Sequence, residues 1–243
     1  MTIYAMIPAR SGSKGLPGKN IKEINGHPLL AYSIAFAKKA PFDRILVSTD
    51  SAEYRDIALQ YGAECPYLRG AEASSDTAME EMIIADLASN LPRYGISMPD
   101  LWARLKPTCP FRSVRSIETA INLLEDESID SVRIVSEDDA RLHTINNEGF
   151  LEPLMANWDP NRSTMRRTEF PRAFRPFNLE IFRHSGWQKR GAFYIGRRVK
   201  PVIEHNITGL DINGEDDFQL ISALITTNPR PTFLRPYVHD PQV

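Results

Sequence analysis

The chain holds only two cysteines, Cys65 and Cys109, and five histidines, and neither set has the close spacing a bound metal needs. A disulfide scaffold and a zinc site are excluded on that ground, and the cysteines are expected to be reduced packing residues. His27, His143, His184 and His205 have no partner at triad or metal spacing and are assigned no catalytic role. No apolar run approaches the roughly 18 residues of a membrane span. Met1-Thr2-Ile3-Tyr4 enters an apolar segment without the basic stretch of a targeting leader, so a cytoplasmic location is expected. Charge of one sign is lacking as well. With 29 Lys and Arg against 31 Asp and Glu, the net charge of −2 gives no general attraction to nucleic acid or anionic membrane. Internal repeats and low-complexity runs are absent.

Two familiar phosphate loops are also missing. A Walker A loop needs Gly, four residues, then Gly-Lys-Ser/Thr, but Asn20 follows Gly18-Lys19 and Ser13 holds the place of the first glycine. A dinucleotide fingerprint fails because Gly12, Gly15 and Gly18 are evenly spaced, with Pro17 among them. An NAD-dependent oxidoreductase is disfavoured for that reason.

What is present is a cationic, glycine-bearing turn directly after a strand. Ile3-Tyr4-Ala5-Met6-Ile7 is apolar on both faces, as a central parallel strand should be, and Ile7-Pro8-Ala9-Arg10-Ser11-Gly12-Ser13-Lys14-Gly15-Leu16-Pro17-Gly18-Lys19-Asn20 follows. Its glycines let backbone N–H groups approach phosphate oxygens, and Arg10, Lys14 and Lys19 supply the charge a polyphosphate requires. The rest is ordinary globular composition, 42% apolar and 25% charged over 243 residues, enough for one large α/β domain or two small ones. Periodicity predicts strands over 44–49, 101–105 and 131–135, and helices over 29–39, 53–61, 77–89, 115–126 and 214–226. Asp50 and Ser51 read as a helix start, and Asp76 could cap the helix after it. Residues 64–69 read as a short extended piece, and 191–195 as a late strand. Strands alternating with helices imply a layered, mostly parallel sheet with helices on both faces. From 137 to 190 the rhythm breaks into polar, proline-bearing and aromatic pieces such as Asn157-Trp158-Asp159-Pro160, an excursion within a single domain spanning 1–243.

Four blocks in order carry a family resemblance. Ala9-Arg10 with Ser13-Lys14-Gly15-Leu16-Pro17 and Lys19-Asn20, then Arg69 with Ser75-Asp76-Thr77, then Pro107-Thr108-Cys109-Pro110-Phe111-Arg112, then Leu210-Asp211-Ile212-Asn213 resemble the acylneuraminate cytidylyltransferases, also known as the CMP-sialic acid synthetases. Members of that family join CTP to a nonulosonate sugar acid and release pyrophosphate. The resemblance implies a three-layer Rossmann-like nucleotidyltransferase fold whose 137–190 excursion is an arm pairing two subunits, hence a homodimer.

It also implies a site. Ala9, Arg10, Ser11, Gly12, Lys14, Lys19, Asn20, Arg69, Ser75 and Asp76 would border the nucleotide, with Arg10 and Lys19 catalytic and Arg69 at the cytosine carbonyl. Arg69 could otherwise be a salt bridge to Glu72 or Asp76. Asp211 would be catalytic through Mg²⁺, with Asn213 the second ligand where many members carry Asp. Lys106, Thr108, Arg112 and Arg175 would face the acceptor, Lys106 and the arginines suiting its carboxylate, and Arg141, Arg167 and Arg172 are further candidates. The late strand 191–195 implies an insertion between it and Arg175. Several readings stay open: a legionaminic, pseudaminic or Kdo-type acid or a phosphonate as acceptor, a guanylyl donor, or a regulatory nucleotide-binding module that has lost turnover, which Asn213 would suit.

Overall fold

The structure is a computed structural model that describes residues 1–155 and 166–242. In chain order its elements are β1 (Ile3–Pro8), β2 (Glu23–Ile24), β3 (His27–Pro28), α1 (Leu29–Lys39), β4 (Arg44–Ser48), α2 (Ala52–Gln60), α3 (Ala71–Ser74), α4 (Glu80–Asn90), β5 (Leu101–Leu105), α5 (Val114–Leu123), β6 (Ser131–Asp138), β7 (His143–Ile145), β8 (Leu151–Pro153), β9 (Ala173–Arg183), α6 (His184–Arg190), β10 (Val199–Glu204) and α7 (Glu215–Thr226). Six strands form one sheet in the order β10-β6-β9-β5-β1-β4. β1 runs parallel to β4 and β5, β10 runs parallel to β6, and β9 is antiparallel to both β5 and β6.

Side-chain alternation in β1 explains the layering. Ile3, Ala5 and Ile7 face one side and pack with Leu30, Ile34 and Ala37 of α1, Tyr54 and Ala58 of α2, and Ile117 and Ala120 of α5. Tyr4 and Met6 face the other side and pack with Ile83, Ile84 and Leu87 of α4, together with Trp102, Phe182 and Tyr194. Both faces of the strand are covered, which is why its sequence is a continuous apolar run. A third cluster lies beyond the strand ends, where Leu16 joins Ile212 and, from α7, Phe218, Ile221 and Ile225. The cationic turn is thus anchored to the C-terminal helix through one leucine.

Most predicted elements fall in place within a residue or two. Ser51 caps α2, its Oγ accepting the Tyr54 N–H at 3.3 Å. Two expectations are corrected. Residues Gly191–Phe193 form a 3-10 turn rather than a strand, and the strand missed in the sequence is β9, eleven residues at the centre of the sheet. Arg175 already lies in that strand, and the stretch between it and Gly191 is the rest of β9 and α6. The segment leaving the sheet runs from 139 to 172, bearing the β7–β8 hairpin, and Asn157-Trp158-Asp159-Pro160 lies outside the described residues. In addition, α4 begins at Glu80 with Met79 as its N-cap, so Asp76 caps no helix and is left in the preceding loop.

Candidate active site

The carboxyl ends of β1, β4 and β5 converge on one cleft, where open α/β sheets hold ligands. Beyond β1 the fully buried Ala9 donates its N–H to the Ser48 carbonyl at 2.9 Å. The chain then turns so that the Ser11 N–H and Oγ bond the Asp50 carboxylate at 2.8 and 3.0 Å. The far end of the turn is tied back by buried Asn20, whose Nδ2 donates to the Arg10 carbonyl at 3.0 Å. A Cβ on Gly15 would stand 2.5 Å from the Asn213 carbonyl oxygen, so glycine alone allows the turn to press on the 211–213 segment. Gly18 adopts φ 64° as the N-cap of the short 3-10 turn Lys19–Ile21. Gly12 has nothing within 4 Å of a built Cβ, and space sets no demand for it.

The cleft measures about 370 Å³, and Arg10, Lys19, Asn20, Arg69, Ser75, Asp76, Lys106 and Thr108 line it. Lys19 Nζ donates to the Ile212 carbonyl at 2.8 Å. Burial lowers the pKa of this ammonium, while Asp211 acts in the opposite sense. Arg10 and Lys14 both grip Asp76, at 2.7 and 2.6 Å, and these hydrogen bonds hold its carboxyl below the usual range. Arg69 is 5% exposed. Its Nε donates to Ser74 Oγ at 3.0 Å, and its buried Nη1 has no partner among the described residues. The salt-bridge alternative to Glu72 or Asp76 is not what the structure shows; a buried, unpaired guanidinium nitrogen on a cleft wall is a donor awaiting an acceptor. Ser75 Oγ lies 3.4 Å from Thr77 Oγ1 at the cleft mouth.

Asp211 sits behind Lys19, and its Oδ1 is buried without a partner among the described residues. Nearby, Cys109 is a buried thiol outside any disulfide, pushed up to about 12, first by desolvation and then by Asp211. Asn213 is exposed, donates its amide to the Asp211 carbonyl at 3.3 Å, and gives its backbone N–H to Asp217 at 2.8 Å. No group of three or more His, Cys, Asp or Glu suited to a metal occurs among the described residues. The arrangement still fits Mg²⁺, which takes one or two carboxylate oxygens and completes its shell with phosphate and water.

Two expected substrate contacts are corrected. Arg112 is 2% exposed, donates Nη1 to Ser33 Oγ at 3.1 Å and Nη2 to the Lys106 carbonyl, and lies over Phe36. It is a strut beneath the cleft that fixes the Lys106 backbone, and burial lowers its pKa to about 10. Arg175 in β9 pairs with Asp138 at 2.7 Å and does not line the cleft. Arg141 and Arg172 likewise pair with Asp139 and Glu137 on the excursion, and the Arg167 side chain lies outside the described residues.

Other cleft residues escaped the sequence reading. Arg104 of β5, 7% exposed, binds Glu180 of β9 at 2.8 Å and Glu80 of α4 at 2.5 Å, and both Arg104 and Glu80 line the cleft. Burial alone would lower the Arg104 pKa, yet the two carboxylates raise it; Glu180 is correspondingly held low by Arg104 against its own desolvation. The available signal was a lone charge inside Leu101-Trp102-Ala103-Arg104-Leu105, an otherwise apolar buried strand.

The family model for Cytidylyltransferase matches residues 4–189. A curated CMP-N,N'-diacetyllegionaminic acid synthase of Legionella pneumophila is 36% identical over 62% of this chain and 66% of its own length. Post-translational flagellin modification protein B of Campylobacter coli is 28% identical over 92% and 94%. An N-acylneuraminate cytidylyltransferase of Streptococcus agalactiae is 28% identical over 90% of this chain and 52% of its own. Among solved structures, a CMP:2-keto-3-deoxy-manno-octonic acid synthetase complexed with CTP superposes with TM-score 0.68 at 15% identity, covering 92% and 98% of the two chains.

Proposed function

Because the chain belongs to the cytidylyltransferase family, we propose that it transfers CMP from CTP to a sialic-acid-like nonulosonate and releases pyrophosphate. The observation that carries this reading is the convergence on one cleft of Arg10, Lys19 and Arg69, whose Nη1 has no partner among the described residues, with Asp211, whose Oδ1 likewise has none, acting on Lys19. The relatives' names, legionaminic acid synthase and N-acylneuraminate cytidylyltransferase, support an acceptor of that kind.

The chemistry follows from the charges. A hydroxyl oxygen of the acceptor forms a bond to the α-phosphorus while the bond to the bridging oxygen breaks, so negative charge grows on the departing pyrophosphate. Lys19 meets that charge from a fixed position, and Arg10 and Lys14 by exchanging Asp76 for phosphate oxygens. Lys106, which lines the cleft just beyond β5, suits the acceptor carboxylate. Asp211, with Asn213 adjoining, would hold Mg²⁺. When bound, that ion neutralises phosphate charge and orients the tail.

A homodimer and a cytoplasmic location belong to the same reading. The β7–β8 excursion leaves Ile145 70%, Phe150 66% and Leu151 68% exposed, the side chains a second copy would cover. No described helix is long and apolar enough to cross a membrane.

The test is pyrophosphate release with Mg²⁺, each of the four nucleoside triphosphates, and a panel of keto-sugar acids. Turnover with CTP and a nonulosonate is expected. Activity with GTP alone would overturn the donor, and a silent panel despite tight CTP binding would identify a regulatory module, the reading that Asn213 in place of a second carboxylate favours.

A further inference from the structure

We propose that Glu80 reads the exocyclic amine of the cytosine and that Arg104 is the residue that positions it, an inference that rests on the cytidylyl-transfer reading above. Glu80 opens α4 and puts its carboxylate into the cleft that Arg69 also lines. Arg104 donates Nη1 to Glu80 Oε1 at 2.5 Å and Nε to Glu180 Oε1 at 2.8 Å. Glu180 is itself fixed by the Tyr194 hydroxyl at 2.7 Å and by Arg133 at 3.3 Å. The guanidinium is therefore clamped from below, and through it one Glu80 oxygen is held in place.

Glu180, with its side chain 3% exposed, already gives Arg104 a buried counter-charge, so a second carboxylate is not required for neutrality. The Glu80 side chain keeps 42% exposure, and its Oε2 has no hydrogen-bond partner among the described residues. The cleft thus has a fixed acceptor at Glu80 and, in its wall, Arg69, whose buried Nη1 has no partner among the described residues. A pyrimidine with one carbonyl and one amine on its polar edge matches both, and a carboxylate accepting from the cytosine amine is a recurrent pairing. Uracil would turn a second carbonyl toward the carboxylate and set lone pair against lone pair.

The experiment measures CMP and UMP affinity by calorimetry, without metal or acceptor, for wild type and Glu80→Gln. The variant keeps an oxygen for Arg104 while presenting an amide N–H₂. Wild type should prefer CMP by about tenfold or more, and the variant should reduce that preference by at least about tenfold. Pyrophosphate affinity should not change, a combination that loss of a merely structural contact would not produce. An unchanged CMP-to-UMP ratio in the folded variant overturns the proposal and leaves cytidylyl transfer standing. Failure of wild type to bind CMP at all overturns the underlying reading instead. Should the variant not fold, a crystal structure of wild type with CMP decides: the amine within about 3.2 Å of Glu80 supports the assignment, and an amine bonded only to backbone carbonyls refutes it.

Discussion

Lys19 carries its charge against the preference of its surroundings, since burial disfavours the ammonium and Asp211 is what sustains it. On the proposed reading it stands where pyrophosphate charge develops, and there a preorganised cation matters more than its single hydrogen bond to Ile212 suggests. Lys19→Ala is expected to lower kcat by about a hundredfold or more with little change in Tm, followed by pyrophosphate release and thermal melts. A second residue-scale prediction concerns acid. Trp102 Nε1 donates to His184 Nδ1 at 3.1 Å, and burial lowers the His184 pKa, so the folded state holds the neutral ring. The unfolded chain then binds the proton first, and stability falls as pH drops through the ordinary imidazole range near about 6.5. Melts at about pH 7 and pH 5 should show that loss, and His184→Phe should shrink it. Residue types were readable in the sequence where charge density spoke for itself, at Arg10, Lys14 and Lys19. Arg112 could not be read the same way, because an arginine buried under a strand end and one gripping a carboxylate look alike until the fold places Ser33 and the Lys106 carbonyl beside it.

At the scale of elements, the cationic turn holds its shape through contacts of unequal severity, and its glycines are not equivalent. Gly15→Ala drives a methyl into the Asn213 backbone, 2.5 Å away, and must displace either the turn or the Asp211 segment. Its activity is expected to fall at least about tenfold, with weakened nucleotide affinity. Gly12→Ala meets no protein atom within 4 Å and should lose less activity than Gly15→Ala, with Tm near wild type. Steady-state kinetics on the two variants side by side separates close approach from mere flexibility. The even glycine spacing marked the turn in the sequence but could not rank its members, since the deciding neighbour is almost two hundred residues away in the chain. Strands β1, β4 and β5 were legible because burial on both faces makes continuous apolar runs. β9 was hidden by Pro176 and by three charged residues whose partners lie elsewhere in the chain: Arg175 and Glu180 pair with neighbouring strands, and Arg183 with carbonyls of the α5–β6 connection.

For the molecule as a whole, the proposed pairing of two copies has a direct consequence for solution mass. Light scattering should give twice the chain mass, and the double change Ile145→Asp and Phe150→Asp, at positions 70% and 66% exposed, should give monomers with an unchanged far-ultraviolet spectrum. A monomeric wild type would remove the dimer from the reading while leaving the cleft untouched.

The sheet itself consists of two parallel blocks, β4-β1-β5 and β6-β10, held side by side by β9 alone. During synthesis the first block has all its strands by Leu105, but β6 emerges alone, because the strand that rivets the blocks comes after residue 172 and β10 later still. Until then β5 and β6 each offer a row of unsatisfied backbone groups to any passing strand. A nascent chain stalled at that point would carry one raw edge on β5 and two on β6, so this enzyme's window of vulnerability on the ribosome narrows when Ala173–Arg183 slides between them and closes only when Val199–Glu204 covers the far side of β6.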